Sequence, residues 1–180
     1  MKMVLITGNA GKAEEVSRYL KIPIEHQSLN LDEIQSLDLE EIVKDKAFRA
    51  FKEIGKPVLV EDVSFTFHSL GKLPGPLIKW FQKELENEGL CRLVDGKDRS
   101  CTATVCYGFH DGKEIHLFSG SMSGSVANSP RGNNSFGWAP IFIPDGYEKT
   151  YAELSNEEQG LVAMRSKALK KLHGFLTTAD

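Results

Sequence analysis

Two short, uninterrupted apolar runs, Val4-Leu5-Ile6 and Val58-Leu59-Val60, do most to limit what this chain can fold into. A strand that is apolar at every position has no face to offer water. It must be covered on both sides, as the strands of parallel sheets are. The first run ends at Thr7-Gly8-Asn9 and leads into helical spacing from Lys12 to Leu20, with Val16, Tyr19 and Leu20 on one face. Asp38, whose side-chain oxygen can accept from unpaired amides, opens a longer helix through Ile54. Gly55-Lys56-Pro57 then breaks that helix ahead of the second run. Strand, helix, helix, strand is an α/β pattern and predicts parallel pairing. The opening residues read as a core strand rather than a signal peptide.

Further along, Pro74-Gly75-Pro76 marks a turn before a helix carrying Ile78, Trp80, Phe81 and Leu85. From Cys101 to Val126 the pattern changes. Thr102 to Phe109 and Glu114 to Phe118 flank Asp111-Gly112, a strong hairpin signal. These hairpins predict a second lobe that meets the first at a cleft. Ser155 followed by Glu158 is a capping box and predicts one final helix from about Asn156 to Leu172. With no repeat, low-complexity tract or linker, the expectation is a single domain over residues 1–180.

Composition excludes some classes. A net charge of −3 argues against a protein that coats nucleic acid. No stretch is long and apolar enough to span a bilayer. Cys91, Cys101 and Cys106 lack metal-ligand spacing, and the last two sit in an apolar stretch, as small core residues of a reducing cytoplasm do. A cytoplasmic protein with neither nucleic acid nor membrane as partner is therefore expected.

The candidate chemistry is distributed. Thr7-Gly8-Asn9-Ala10-Gly11-Lys12 joins a strand to a helix N-terminus, where amides and the helix dipole favour anions. It is not a Walker A loop, because Ile6 and Ala13 occupy positions that motif needs as glycine and a hydroxyl residue. An ordinary strand-to-helix turn fits the spacing equally well. Glu61-Asp62 follows the second apolar run, at the strand end where open α/β sheets place ligand chemistry, and carboxylates there can hold a hard cation such as Mg²⁺. By spacing alone Glu33 is a solvated loop charge, and Lys46 and Lys79 are surface lysines of helices. Met164-Arg165 reads alone as a core methionine beside a solvated arginine. The run Phe136-Gly137-Trp138-Ala139-Pro140 through Tyr147 is too rich in aromatics, prolines and glycines for a generic element. It predicts a rigid loop presenting Phe136 and Trp138 to a flat ligand, or else a buried corner.

Taken together, these segments resemble the inosine triphosphate pyrophosphatase family, whose members remove non-standard purine nucleoside triphosphates. The resemblance runs from Leu5 to about Leu169. Its motifs occur in the family's order: Thr-Gly-Asn-x-x-Lys at 7–12, Val60-Glu61-Asp62, Leu73-Pro74-Gly75-Pro76 with Ile78-Lys79-Trp80-Phe81, Pro130-Arg131-Gly132, and the Phe-Gly-Trp run. It implies an elongated two-lobed α/β fold with a central mixed sheet and a cleft between lobes, and a homodimer. It also implies Mg²⁺-dependent hydrolysis of nucleoside triphosphates to a monophosphate and pyrophosphate. The implied triphosphate contacts are Thr7, Gly8, Asn9, Lys12, Lys46 and Lys79; Glu33 and Asp62 are the implied metal carboxylates. Asp62 and Lys46 are implied to be catalytic, and Phe136, with Gly137 and Trp138, is assigned to the base.

The departures from the pattern are concentrated. Ala139 stands where the family has aspartate, and Gln159, Gly160, Ala163 and Met164 stand in the last helix where it reads Lys-Asn-x-x-Ser-His, leaving only Arg165 in common. Ala139, Gln159, Met164 and Arg165 are the implied base contacts, so altered or relaxed base choice is expected. The alternative is a nucleotide-binding protein, a sensor or partner subunit, that has lost turnover.

Overall fold

The computed structural model describes residues 3–133 and 137–178. They form a mixed seven-stranded sheet with helices. The strands are β1 (Val4–Ile6), β2 (Glu25–Gln27), β3 (Val58–Phe67), β4 (Pro74–Gly75), β5 (Ser100–His110), β6 (Ile115–Val126) and β7 (Phe142–Pro144). Their order is β2-β1-β3-β5-β6-β7, with β4 paired to β3. β1 runs parallel to both β2 and β3, with Val4 opposite Glu25 and Val58, whereas β3–β4 and β6–β7 are antiparallel. The chain divides into two compact units, Met1–Asp62 with Val105–Gly120 and Arg165–Asp180, and Val63–Thr104 with Ser121–Met164.

In the first unit, α1 (Ala10–Leu20) and α2 (Leu39–Ile54) begin and end where local chemistry dictates. Asp38 caps α2 by accepting from the amides of Glu40 and Glu41, and Gly55, at φ 66, takes the left-handed conformation that stops it. The helix packs Val43, Ala47 and Ala50 against Val4, Ile6, Val58, Val60 and Cys106 of the sheet. Gly108 makes the close approach possible: a Cβ there would lie 2.6 Å from Val43 Cγ1 and 3.2 Å from Val60 Cγ2. Each fully buried valine of this layer contributes about 1.5–3 kcal/mol, so Val43→Asp would break it.

β3 departs from expectation. The apolar run ends at Val60, but the strand continues through Glu61 and Asp62 to Phe67. Glu61-Asp62 is therefore internal to a long strand rather than at its end. Side chains of a strand alternate, so Val58, Val60 and Asp62 face α2 while Leu59 and Glu61 face the other way.

The second unit holds α3 (Ile78–Arg92), which is interrupted at Glu86 (φ 56), β4, β7 and α4 (Asn156–Val162). Its core contains a ring cluster in which Phe65 meets Phe67 edge-on at 4.9 Å and Phe142 edge-on at 5.7 Å. The Ser155–Glu158 capping box forms as expected. The single final helix does not: Ala163, at φ −53 and ψ 121, separates α4 from α5 (Met164–Thr178). No helix among the described residues is long and apolar enough to cross a membrane.

Candidate functional site

The turn that opens α1 is built by its own side chains. Thr7 Oγ1 accepts from the Asn9 amide at 3.1 Å, and Asn9 Oδ1 accepts from the Lys12 amide at 3.3 Å, making Asn9 the N-cap. Both side chains thus shape the helix start, whose positive end favours anions. The turn sends Lys12 to β3, where its Nζ donates to Glu61 Oε1 at 3.0 Å.

Arg165, near the start of α5, holds the same carboxylate at two points, Nη2 to Oε1 at 2.9 Å and Nε to Oε2 at 3.1 Å. The Glu61 side chain is 8% exposed. Burial by itself would raise its pKa, but Arg165, Lys12 and the Tyr107 hydroxyl outweigh burial and bring it down to about 2. The Tyr107 hydroxyl is buried and lies close enough to contribute, although it forms no hydrogen bond of ordinary geometry. Burial opposes the Arg165 charge as well; Glu61 reverses that and pushes its pKa further up. Arg165 is a buried, paired cation and not the solvated residue its helix position suggests.

On the α2 side, Lys46 Nζ donates to Glu33 Oε1 at 2.7 Å, lies 3.6 Å from Asp62 Oδ2, and reaches the Glu61 carbonyl at 3.4 Å. Burial acts to lower its pKa, yet Asp62 and Glu33 together hold it above the ordinary lysine value. One ammonium thus stands between two carboxylates. Thr7, Gly8, Lys12, Glu33, Lys46 and Glu61 line a cavity of about 240 Å³, backed by Leu29 and Leu31. Whole-ligand pockets run to roughly 300–1,000 Å³, so this cavity has the scale of a ligand's charged end. Dispersed through the sequence, Glu33, Lys46 and Asp62 meet in one ion-pair group, and Lys12 joins Glu61 and Arg165 in another, the two linked by the Lys46 contact to the Glu61 carbonyl.

Other candidate residues lie in the second unit. Lys79 is exposed on α3. Trp138 is buried, its ring stacked on Phe65 at 4.6 Å and edge-on to Phe142 at 5.6 Å. The expected presentation of its face to a ligand is thereby corrected to the buried-corner alternative, because a large apolar ring gains more from core contacts than from water. Gly137 takes φ 55, where glycine is favoured, and its carbonyl accepts from Asn87 at 3.0 Å. Ala139 and Met164 are buried. Gln159 donates to the carbonyls of Tyr151 at 2.8 Å and Leu154 at 3.3 Å. The candidate Phe136 lies outside the described residues.

Sequence reasoning missed that Glu61 is the buried carboxylate that holds Lys12 and Arg165 and that Tyr107 lies beside it. The available signal was parity: a carboxylate on the face of β3 shared with Leu59 needs cations to remain there. A second acidic group was missed altogether. Asp111, Glu114 and His116, in the first unit, bring one ligand atom each within 4.8 Å of one another and could hold a metal ion.

The sequence model of the Ham1 family matches residues 3–175. The chain is 41% identical to the inosine triphosphate pyrophosphatase of Yarrowia lipolytica over 182 aligned positions, covering 98% of this chain and 96% of that protein. It is also 41% identical to inosine triphosphate pyrophosphatase 2 of Trypanosoma cruzi over 176 positions, 95% and 90% of the respective chains. Its structure is similar to that of a HAM1 protein from Coxiella burnetii, with a TM-score of 0.88 over 99% of both chains at 24% identity, a likeness of fold.

Proposed function

The chain belongs to the Ham1 family, and from that premise we propose that it hydrolyses nucleoside triphosphates to a nucleoside monophosphate and pyrophosphate. The observation that carries the reading is that Lys12, Lys46 and Glu33 line one small polar cavity at the start of α1, with Asp62 3.6 Å from the Lys46 ammonium. Lysines and a helix N-terminus neutralise phosphate oxygens, and carboxylates beside them suit a hard cation. The relatives' name, inosine triphosphate pyrophosphatase, supplies the reaction class.

Glu33 and Asp62 fit a cation: both already direct oxygens at one positive charge, the Lys46 ammonium, and oxygen donors suit Mg²⁺. Bound there, Mg²⁺ would supply positive charge to the phosphate oxygens as negative charge develops. Lys12 and Lys46 bind the triphosphate oxygens; Lys79, exposed on α3, is assigned to them on family resemblance. Asp62 orients a water and takes its proton as the water oxygen bonds to the α-phosphorus. The bond from that phosphorus to the bridging oxygen breaks, and pyrophosphate leaves. The whole chain acts as one catalytic domain, cytoplasmic and homodimeric.

Base choice is altered or relaxed. Ala139 and Met164 are buried and carry no side-chain hydrogen-bonding group for a base edge, and the Gln159 amide is engaged by backbone carbonyls. A site without hydrogen-bonding groups rejects a wrong base weakly, whereas a site built from them can reject it by roughly 10⁴–10⁵-fold. Pyrophosphate release from a panel of nucleotides, with products separated at early times, tests the proposal. We expect stoichiometric monophosphate and pyrophosphate, with little contrast in kcat/KM between ITP and ATP. Orthophosphate and a diphosphate would exclude the pyrophosphatase reading; no turnover of any nucleotide would favour a binding protein. Changing Ala139→Asp, Gln159→Lys, Ala163→Ser and Met164→His together should raise the ITP contrast by at least about tenfold, since polar networks act as units. An enzyme that already rejects ATP strongly would remove the specificity proposal and leave the reaction intact.

A further inference from the structure

The two cations on Glu61 are held unequally. Arg165 grips the carboxylate at two points and its side chain is 15% exposed. Lys12 touches it at one point and is 40% exposed. A planar guanidinium paired bidentately with a carboxylate is geometrically fixed, whereas a lysine on a flexible four-carbon stem changes partners easily. Both oxygens of Glu61 are in use, Oε1 by Lys12 and Arg165 and Oε2 by Arg165. Glu61 is therefore committed to these cations, unlike Glu33 and Asp62, which share a single ammonium.

We propose that Glu61 is a positioning residue for polyphosphate: anchored by Arg165, it parks the Lys12 ammonium beside the cavity, from which Lys12 moves to phosphate oxygens while Arg165 stays in place. The proposal rests on the triphosphate reading of this site. Without Glu61 the two cations would repel and the Lys12 stem would lose the partner that orders it. The loss would then be one of preorganisation rather than of a direct ligand contact.

A double-mutant cycle on inorganic tripolyphosphate binding, measured by calorimetry without nucleotide, tests this. The four proteins are wild type, Glu61→Gln, Lys12→Gln and the double variant. If Glu61 acts through Lys12, Glu61→Gln weakens tripolyphosphate binding about tenfold in the wild-type background and about twofold or less once Lys12 is replaced. Equal losses in the two backgrounds, or no loss in either, would overturn the proposal. In hydrolysis assays Glu61→Gln should raise KM more than it lowers kcat, a split that general loosening of the fold would not produce. Should Glu61→Gln not fold, Arg165→Lys takes its place in the cycle with the same criterion, because it keeps the charge and breaks the two-point hold. Coupling in tripolyphosphate binding without turnover of any nucleotide would support Glu61 and overturn the pyrophosphatase reading. Turnover with additive losses would do the reverse.

Discussion

Two acidic clusters of the first unit look interchangeable on paper and are built to different ends. Glu33 and Asp62 come from a loop and a strand and share one lysine ammonium at 2.7 and 3.6 Å. Asp111, Glu114 and His116 come from a single hairpin, its turn and the start of β6. There Asp111 Oδ1 accepts from the amides of Lys113 at 2.7 Å and Glu114 at 2.9 Å, and Oδ2 meets His116 Nε2 at 3.0 Å. The backbone bond from Glu114 leads the interactions that hold the Asp111 carboxyl well below the usual carboxylate range, followed by those from His116 and Lys113. In the hairpin the carboxylate's capacity goes to local backbone, which is what aspartate does in turns. In the first cluster the carboxylates face a side-chain ammonium, whose place beside them another cation can take. Proximity of acidic groups is therefore a weaker guide to a metal site than whether their oxygens are already engaged by the main chain.

The largest effect should separate the clusters outright. Asp62→Asn removes the proposed base and should lower kcat by about 10²–10⁴-fold with the fold intact. Wild-type turnover at saturating Mg²⁺ would show that the comparison assigns the wrong cluster. Glu33→Gln should cost less, about tenfold in apparent Mg²⁺ affinity, since Glu33 is 54% exposed against 24% for Asp62 and a water can take over a ligand position there. A Mg²⁺ titration of pyrophosphate release measures it, and an unchanged midpoint would remove Glu33 from the site.

Asp111→Ala should leave both kcat and that midpoint unchanged. Its cost is the turn's hydrogen bonds, roughly 1 kcal/mol or about 2–4 °C in Tm for a chain of this length. A right-shifted Mg²⁺ titration in this variant would make the hairpin the metal centre. The smallest effect concerns acid. The folded Asp111 pKa lies below its unfolded value, so its stabilisation is fully present above the unfolded pKa of about 4 and fades as pH falls through the folded one. The Tm difference between wild type and Asp111→Asn should therefore narrow as pH drops below about 4, and a difference that grows in acid would contradict the assigned direction.

Features with local causes were legible in the sequence. Asp38 and Gly55 bound α2, Ser155 and Glu158 open α4, and Asp111-Gly112 turns the hairpin, because each depends on groups a few residues apart. β1 and the start of β3 were equally readable, since apolar side chains in every position leave a strand no alternative to burial on both faces. The remainder of β3 was not. Glu61-Asp62-Val63-Ser64 looks like the polar end of a strand, and only pairing within the sheet and cations brought from elsewhere let carboxylates sit inside one. Ala163 gives no local reason to break a helix, and Trp138 could as well have faced a ligand as the rings of Phe65 and Phe142.

The sequence by itself determined β1, the start of β3, the β5–β6 hairpin, the helix caps and the residue types from which an anion and cation site can be made. Tertiary structure alone decided which charges meet. Lys12 reaches Glu61 across 49 positions and Arg165 reaches it across 104. No local spacing encodes such pairs, because a buried carboxylate is tolerated only where the completed fold delivers its counter-charges.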